Sequence, residues 1–186
     1  MQSKENRFYV VTGGPGSGKS SLIEPLHRQG YARSIEAGRG IIQDQMAIGG
    51  RALPWSDPLR FAELMLSWEM RSYHIAQQSP GTVFFDRGVP DVLGYLIVVG
   101  IPVPDHVRRA AETFRYNRTV FIAPPWREIF CQDHERKQDF EEAVRTYESM
   151  VEIYTALDYE LVEVPRLPIE ERARFILQRM ADGTRG

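Results

Sequence analysis

The stretch Gly13-Gly-Pro-Gly-Ser-Gly18-Lys19-Ser20 decides the fold of this chain. It matches the pattern G-x-x-x-x-G-K-[ST], in which glycines let successive backbone N–H groups turn inward around a polyphosphate. A hydrophobic run, 8–12, precedes it and a helical pattern follows it, which is the strand–loop–helix context that such a loop requires. The sequence therefore predicts a phosphate-binding loop here. The alternative is a glycine-rich turn on the surface.

Each part of this loop has an expected contact. Lys19 is placed to reach the β- and γ-phosphates, and the hydroxyl of Ser20 is placed to bind Mg²⁺. The positive end of the dipole of the following helix attracts phosphate as well. The residues expected to bind the phosphates are Gly14, Pro15, Gly16, Ser17, Gly18, Lys19, Ser20 and Ser21.

Length and composition exclude several classes of protein. The chain has 186 residues, of which 42% are hydrophobic and 26% charged, so we expect one folded domain over 1–186 and no general disorder. No apolar run approaches the roughly 20 residues that cross a bilayer, and the N-terminus lacks the apolar core of a signal peptide. We therefore expect a cytoplasmic enzyme without a membrane segment.

Net charge and cysteine content limit the kinds of partner and site that the chain can have. The formal net charge is −2, with 23 basic and 25 acidic side chains, which disfavours a nucleic-acid partner because it provides no general basic surface. Cys131 is the only cysteine, so an internal disulfide and a cysteine-rich zinc site are both excluded. We expect a monomer or a homodimer that acts on a small molecule.

Short hydrophobic runs alternate with longer helical patterns along the whole chain. This alternation predicts an α/β fold with a mainly parallel sheet. Strands are expected over 8–12, 32–35, 82–85, 119–122 and 160–164. Helices are expected over 19–29, 38–48, 57–78, 91–99, 105–116, 140–157 and 168–180.

An acid follows the third predicted strand. The run Thr82-Val-Phe-Phe ends at Asp86, which is the layout of a Walker B strand. If this strand lies beside the first, Asp86 arrives near Ser20 and can hold Mg²⁺ or a water molecule of the ion. The alternative is that Asp86 only caps the helix that follows.

With Asp86-Arg87-Gly88 the sequence begins to resemble the P-loop kinases of nucleosides and nucleotides. The resemblance implies that Asp86 serves the metal and that Arg87 faces the phosphoryl acceptor. It also implies that Glu36, at the end of the second strand, accepts the proton of the attacking hydroxyl, a task that suits a carboxylate. Arg87 could instead be a surface arginine paired with a carboxylate, and Glu36 a capping or ion-pairing residue. Arg39 could bind an anionic acceptor or pair with Glu36.

The charged segment after the fourth strand, about 126–139, looks like a lid. Mobile cations that close over a transferring phosphoryl group stabilise its charge and exclude water. Arg127, Arg136 and Lys137 are the candidates, and Arg145 could join them. The alternative is a solvated charged face, since acids stand among the bases.

The whole chain resembles a family of small bacterial AAA-domain proteins described as ATPases or kinases. The matching pieces are the loop region 11–20, the run 84–95, the run 124–130 and the run 159–165. That family is similar to the ribosylnicotinamide kinase domain and, more distantly, to deoxynucleoside kinases. The resemblance implies a three-layer P-loop NTPase fold with a five-stranded parallel sheet in the order 2-3-1-4-5 and a helical lid. It further implies ATP and Mg²⁺ as cofactors, with Val164 and Pro165 near the adenine.

Together these features predict an ATP-dependent phosphotransferase that acts on a small acceptor such as a nucleoside, a nucleotide or a related metabolite. Its expected catalytic residues are Lys19, Glu36, Asp86, Arg87, Arg127 and Arg136, with Ser20 and Asp86 at the metal. The main alternative is a P-loop ATPase that acts as a nucleotide-dependent switch on a protein partner. A nucleotide-binding module without turnover and an RNA-end kinase are further alternatives.

Overall fold

The computed structural model describes residues 7–130 and 139–183. Within these ranges the strands are β1 (Phe8–Gly13), β2 (Ala32–Arg33), β3 (Val83–Asp86), β4 (Thr119–Ala123) and β5 (Glu160–Glu163). The helices are α1 (Lys19–Arg28), α2 (Ala37–Ile48), α3 (Pro58–Gln78), α4 (Val89–Val98), α5 (Asp105–Thr113), α6 (Phe140–Ala156) and α7 (Ile169–Gly183). None of the helices in the described part of the chain is both long and apolar enough to cross a membrane.

The strands form one parallel sheet in the order β2-β3-β1-β4-β5, as expected. In the register of the sheet, Val11 of β1 lies opposite Asp86 of β3, and Gly13 lies opposite Ala123 of β4. β2 and β3, the strands that follow β1 in the chain, lie on one side of it in the sheet, and β4 and β5 lie on its other side. In such a sheet a ligand crevice opens beyond the carboxyl ends of the strands at this switch point.

Alternate residues of β1 build the two halves of the core. Phe8 and Val10 face one helical layer, where they pack with residues of α3 and α6 that include Tyr73, Met150 and Tyr154. Tyr9 and Val11 face the other layer, where they pack with residues of α1 and α7 that include Leu22, Leu26, Ala173 and Ile176. Because a strand presents successive side chains to opposite faces, the hydrophobic β1 holds both helical layers on the sheet. The result is the expected three-layer α/β fold.

Two elements, β2 and α5, end two or more residues before their predicted ends. β2 ends at Arg33 rather than at residue 35 because the chain turns across the end of β3, where the N–H of Asp86 donates to Ser34 Oγ at 3.1 Å. α5 ends at Thr113 rather than at residue 116, since Tyr116 is drawn into the core and its hydroxyl accepts from the N–H of Val89 at 3.2 Å. In both places a tertiary contact replaces local structure.

Phe121 lies in the central part of the sheet and is 0% exposed. We expect Phe121→Ala to lower the free energy of unfolding by about 3–5 kcal/mol, because it removes a large buried side chain and leaves a cavity. Urea denaturation followed by circular dichroism measures the change. The control is Ile48→Ala, whose side chain is 75% exposed and which should change stability by no more than about 0.5 kcal/mol. Equal effects of the two substitutions would contradict this account of the core.

Candidate active site

The glycine-rich loop runs from the end of β1 to the start of α1 and needs glycine for two different reasons. Gly18 precedes α1 with φ 76°, a left-handed conformation that favours glycine. At Gly14 a Cβ would come within 2.3 Å of the carbonyl oxygen of Ala143 on α6, so the loop backbone packs directly on that helix. The loop is therefore both tightly turned and held against α6.

Lys19 is held inside the loop by the atoms of the loop itself. Its side chain is buried, and its Nζ donates to the carbonyl oxygen of Gly14 at 2.7 Å and to Ser17 Oγ at 3.3 Å. Ser17 Oγ in turn donates to the same Gly14 carbonyl at 2.8 Å. Because α1 begins at Lys19, the loop combines a buried ammonium group with the positive end of a helix dipole.

Ser20 and Asp86 meet although 66 residues separate them in the sequence. Ser20 Oγ donates to Asp86 Oδ2 at 2.6 Å, a contact that follows from the pairing of β1 with β3. The other oxygen of Asp86, Oδ1, is buried without a hydrogen-bond partner. Burial, and after it the nearby Glu36 carboxylate, raise the pKa of Asp86, whereas the Lys19 ammonium opposes the rise.

This pair of oxygen donors fits Mg²⁺. The ion prefers hard oxygen ligands and is usually bound by one or two protein groups, with water and phosphate oxygens completing its shell. Oδ1 of Asp86 has no hydrogen-bond partner and can therefore serve as an oxygen ligand of the ion. Elsewhere in the described ranges no cluster of three or more His, Cys, Asp or Glu side chains could hold a metal.

Arg87 follows β3 in a strained backbone conformation, with φ 75°. Three contacts hold it: its N–H donates to the carbonyl oxygen of Val11 at 3.1 Å, its Nη1 to Asp91 Oδ1 at 3.1 Å, and its Nε lies 3.6 Å from Glu36 Oε1. Burial alone would lower the pKa of Arg87, but the carboxylates of Asp91 and Glu36 outweigh it and raise that pKa. Such strain persists only where surrounding contacts impose it, and it is common at active sites.

Asp91 was missed by the sequence reasoning and is the most heavily bonded carboxylate of the site. It is buried and accepts from Thr12 Oγ1 and the Tyr154 hydroxyl, each at 2.6 Å, and from the Gly88 N–H at 2.9 Å, in addition to Arg87. The available signal was the spacing of four residues between Arg87 and Asp91, which favours an ion pair along a helical turn.

Glu36 stands immediately before α2, but its side chain makes no capping hydrogen bond there. Its carboxylate is directed instead toward Arg87, and only 12% of its side chain is exposed. The capping alternative is therefore not supported, whereas an ion pair with Arg87 is present. The same ion pair places Arg87 in the site rather than on the surface.

Two cavities meet at Glu36. The phosphate-loop cavity includes Lys19, Ser20 and Asp86 in its wall. The helix cavity lies between α2, α3, α4 and α6, opens to solvent and has a volume of about 90 Å³, with Arg87 and Asp91 in its wall. Glu36 and Arg39 belong to both walls. The apolar part of the helix cavity is formed by Pro15, Ile42, Phe61, Met65, Val92 and Met150, among others.

The predicted lid residues are only partly described. The guanidinium group of Arg127 lies 4.2 Å from the ring centre of Phe140, and Arg127 lines neither cavity. Arg136 and Lys137 lie outside the described residues. Ile129 lines the phosphate-loop cavity, and a Cβ on Gly16 would come within 2.5 Å of the Phe130 ring. The start of this segment therefore packs on the loop.

Val164 and Pro165, the residues that the resemblance places near adenine, are not in either cavity wall. The side chain of Val164 belongs to the core beside α1 and α7, which leaves only its backbone for a nucleotide. Arg172 of α7, which the sequence reasoning did not single out, lies nearby: it is buried, and its Nη2 donates to the carbonyl oxygen of Ser17 at 3.1 Å.

Glu69 is a second residue that the sequence reasoning missed. It is only 2% exposed and forms part of the wall of the helix cavity. Burial, and after it the carboxylates of Asp91 and Asp86, raise the pKa of Glu69 well above its usual range. The available signal was its place on the buried stripe of α3, between Leu66 and Tyr73, where an acid is unusual.

A family model described as an AAA domain matches residues 8–172. Comparison with curated protein sequences finds no match. The range matched by the family model includes all the site residues described above.

Solved structures with the same fold include two kinases and a NadR protein. A deoxyadenosine kinase from M. mycoides, with the products dCMP and a flexible dCDP bound, is 13% identical over 94% of this chain and 99% of its own, with a TM-score of 0.66. A NadR protein in complex with NR is 17% identical over 94% of this chain, which spans 50% of the NadR chain, with a TM-score of 0.69. A thymidylate kinase from Ehrlichia chaffeensis is 13% identical over 93% and 97% of the two chains, with a TM-score of 0.61. At these identities the similarity shows the fold alone.

Tyr154→Phe removes one of the donors to Asp91. We expect it to lower the free energy of unfolding by about 1–3 kcal/mol, because a buried carboxylate loses a hydrogen bond that water cannot replace. The matched control is Tyr147→Phe, which removes an exposed hydrogen bond of 2.6 Å to Glu163 and should cost no more than about 1 kcal/mol. Urea denaturation of the three proteins measures both changes. A larger loss for Tyr147→Phe would contradict the central place of Asp91.

Proposed function

Because the chain belongs to the AAA domain family whose model spans residues 8–172, we propose that it is an ATP-dependent phosphotransferase with a small-molecule acceptor. The observation that carries this proposal is the wall that the two cavities share at Glu36 and Arg39. A triphosphate on the loop and an acceptor in the helix cavity would meet at this wall. A pure ATPase does not need a second cavity of this kind beside its phosphate loop.

The donor end of the reaction uses the glycine-rich loop. Its backbone N–H groups and Lys19 bind the phosphates of ATP, and Ser20 and Asp86 hold the metal. When bound, Mg²⁺ supplies positive charge to the oxygens that become more negative as the γ-phosphoryl group is transferred. Lys19 does the same from within the protein, since burial strengthens its electrostatic effect on a nearby phosphate.

The acceptor end uses the residues that follow β2 and β3. Glu36 orients the acceptor hydroxyl and takes its proton as the hydroxyl oxygen bonds to the γ-phosphorus of ATP. The bond from that phosphorus to the oxygen bridging the β- and γ-phosphates breaks in the same transfer, and ADP leaves. Arg87 holds Glu36 through the ion pair and offers its remaining N–H groups to the acceptor or to the transferring group. Asp91 is a positioning residue, because it fixes the guanidinium group of Arg87 from the other side.

We also propose that residues 126–139 cover the transferring group. The support is the position of Ile129 and Phe130 against the loop. In this arrangement Arg127 and Arg136 supply cations when the segment closes, and closure excludes water from the phosphates. The adenine of ATP lies toward the backbone of Val164 and Pro165, on the side where Arg172 contacts Ser17.

The acceptor class is a nucleoside, a nucleotide or a related metabolite. The fold is shared with proteins described as deoxyadenosine kinase and thymidylate kinase, and with a NadR protein bound to NR. The test is a screen of nucleosides, nucleotides and vitamin precursors with ATP and Mg²⁺, in which ADP release is read above the rate without acceptor. Release that depends on one acceptor supports the proposal. Release that depends only on a protein partner would favour the regulatory ATPase instead.

Lys19→Ala and Asp86→Ala should each lower acceptor-dependent ADP release at least about 10²-fold, because each removes charge stabilisation of the phosphates or of the metal. The control is Arg28→Ala, which removes an exposed cation paired with Glu170 and should leave the rate unchanged. Initial rates at saturating ATP measure all three. Activity near the wild-type level in Lys19→Ala or in Asp86→Ala would contradict the assigned roles.

Glu36→Gln should lower phosphoryl transfer by about 10²–10⁴-fold while it spares ATP binding, since an amide orients a hydroxyl but does not accept its proton. Calorimetry with ATP and Mg²⁺ measures binding, and single-turnover assays measure transfer. Glu63→Gln, at an exposed glutamate of α3 that pairs with His106, is the matched control and should change neither quantity. A wild-type rate in Glu36→Gln would remove the proton-acceptor role.

A further inference from the structure

Glu69 is not used by the mechanism above, yet it stands in the wall of the helix cavity. Glu69 is 2% exposed, and the Oε2 atom of its carboxyl group is fully buried without a hydrogen-bond partner. Glu69 makes neither a hydrogen bond nor an ion pair with Ser20 or Asp86, the two residues that fit Mg²⁺. A buried polar atom without a partner is rare in folded proteins, because it costs the free energy of a lost hydrogen bond.

The charges around Glu69 oppose its ionisation. The carboxylates of Asp91, Asp86 and Glu36 all act against a negative charge at this position. Arg87 acts in favour of it, but Arg87 already pairs with Asp91 and Glu36. Burial, the largest effect, raises the pKa of Glu69 in the same direction as the three acids. A neutral carboxyl group carries an O–H donor beside a C=O acceptor.

Tyr95 of α4 is a second polar side chain in the same cavity wall. Its hydroxyl is also buried without a hydrogen-bond partner. Its ring lies edge-on to Phe61 of α3, with the ring centres 5.4 Å apart, so the hydroxyl has a defined position. The wall of the helix cavity thus combines apolar residues and paired charges with two side chains, Glu69 and Tyr95, whose buried polar atoms the protein itself does not satisfy. A mostly apolar wall with a few polar groups is the usual composition of a small-molecule site with selectivity.

We propose that Glu69 and Tyr95, the two residues of this wall with unpartnered buried polar atoms, determine the specificity of the acceptor site whose function is proposed above. They select an uncharged, flat group that presents a hydrogen-bond donor and an acceptor side by side, such as a carboxamide or the amino–imino edge of a heteroaromatic ring. The carboxyl group pairs with such an edge through two parallel hydrogen bonds. An anionic group is disfavoured there, because the carboxylates that oppose a negative charge on Glu69, those of Asp91, Asp86 and Glu36, also oppose one beside it.

The test uses small fragments and therefore needs neither ATP nor turnover. Ligand-detected NMR titrations compare nicotinamide with 3-methylpyridine and with nicotinate, and adenine with purine, so that each comparison changes one group. Wild-type protein should bind the fragment with the donor–acceptor edge about tenfold or more tightly than its partners. The carboxamide comparison and the amino–imino comparison distinguish the two kinds of edge.

Two substitutions at the same position separate a neutral carboxyl group from a carboxylate. Glu69→Gln keeps a donor and an acceptor without charge, so it should keep the preference within about threefold. Glu69→Leu fills similar volume without polar atoms and should abolish the preference. Tyr95→Phe should reduce it, and Glu63→Gln, on the exposed face of α3, should leave it unchanged. Thermal melting establishes that each variant is folded, and if Glu69→Leu is not, Glu69→Gln and Tyr95→Phe decide.

Three results would overturn this inference: loss of the preference in Glu69→Gln, its retention in Glu69→Leu or Tyr95→Phe, or its absence from the wild-type protein. Calorimetry with ATP and Mg²⁺ on the same samples separates the two proposals. Failure to bind ATP would count against the proposed phosphotransferase, whereas the fragment preference tests the acceptor wall independently of it.

Discussion

The carboxylate of Asp91, near the start of α4, joins this helix to three other parts of the molecule. It accepts from Thr12 at the end of β1, from Arg87 and Gly88 in the turn after β3, and from Tyr154 of α6. Hydrogen bonds to a buried charge are stronger than neutral ones, and a missing partner costs more. The place of Arg87, and through it of Glu36, therefore depends on this one acid.

The balance of charge at the carboxyl edge of the sheet explains the chemistry proposed for it. The acids Glu36, Glu69, Asp86, Asp91 and Glu142 line the two cavities together with the cations Lys19, Arg39 and Arg87. Asp91 is satisfied by its donors, and Glu36 by Arg87. Asp86 keeps an unpartnered oxygen beside Ser20, which suits a divalent cation. Glu69 has no cation of its own, which favours its neutral form. The metal-binding, proton-accepting and selectivity roles proposed for this edge rest on these three different environments of its acids.

Much of the fold could be predicted because its signals are local. Consecutive residues carry the signals for a hydrophobic β1, a glycine-rich turn and a helix that begins at Lys19. The alternation of strands and helices follows from the same kind of local pattern. The order of the strands came from the family resemblance and is confirmed by the pairing of β1 with β3 and β4. The ends of β2 and α5 were misplaced, because Ser34 and Tyr116 are held by contacts with distant residues.

The sequence by itself determined the phosphate loop, the five strands and the acids and arginine at or just after the ends of β2 and β3, since these depend on backbone conformation and short-range periodicity. Only the tertiary structure decided that Glu36 faces Arg87 instead of capping α2, that Asp91 holds this arginine, and that Glu69 enters the helix cavity without a partner. The physical reason is that burial and electrostatic pairing are properties of groups brought together across the sheet, and no local pattern records which distant side chain will lie within hydrogen-bond distance.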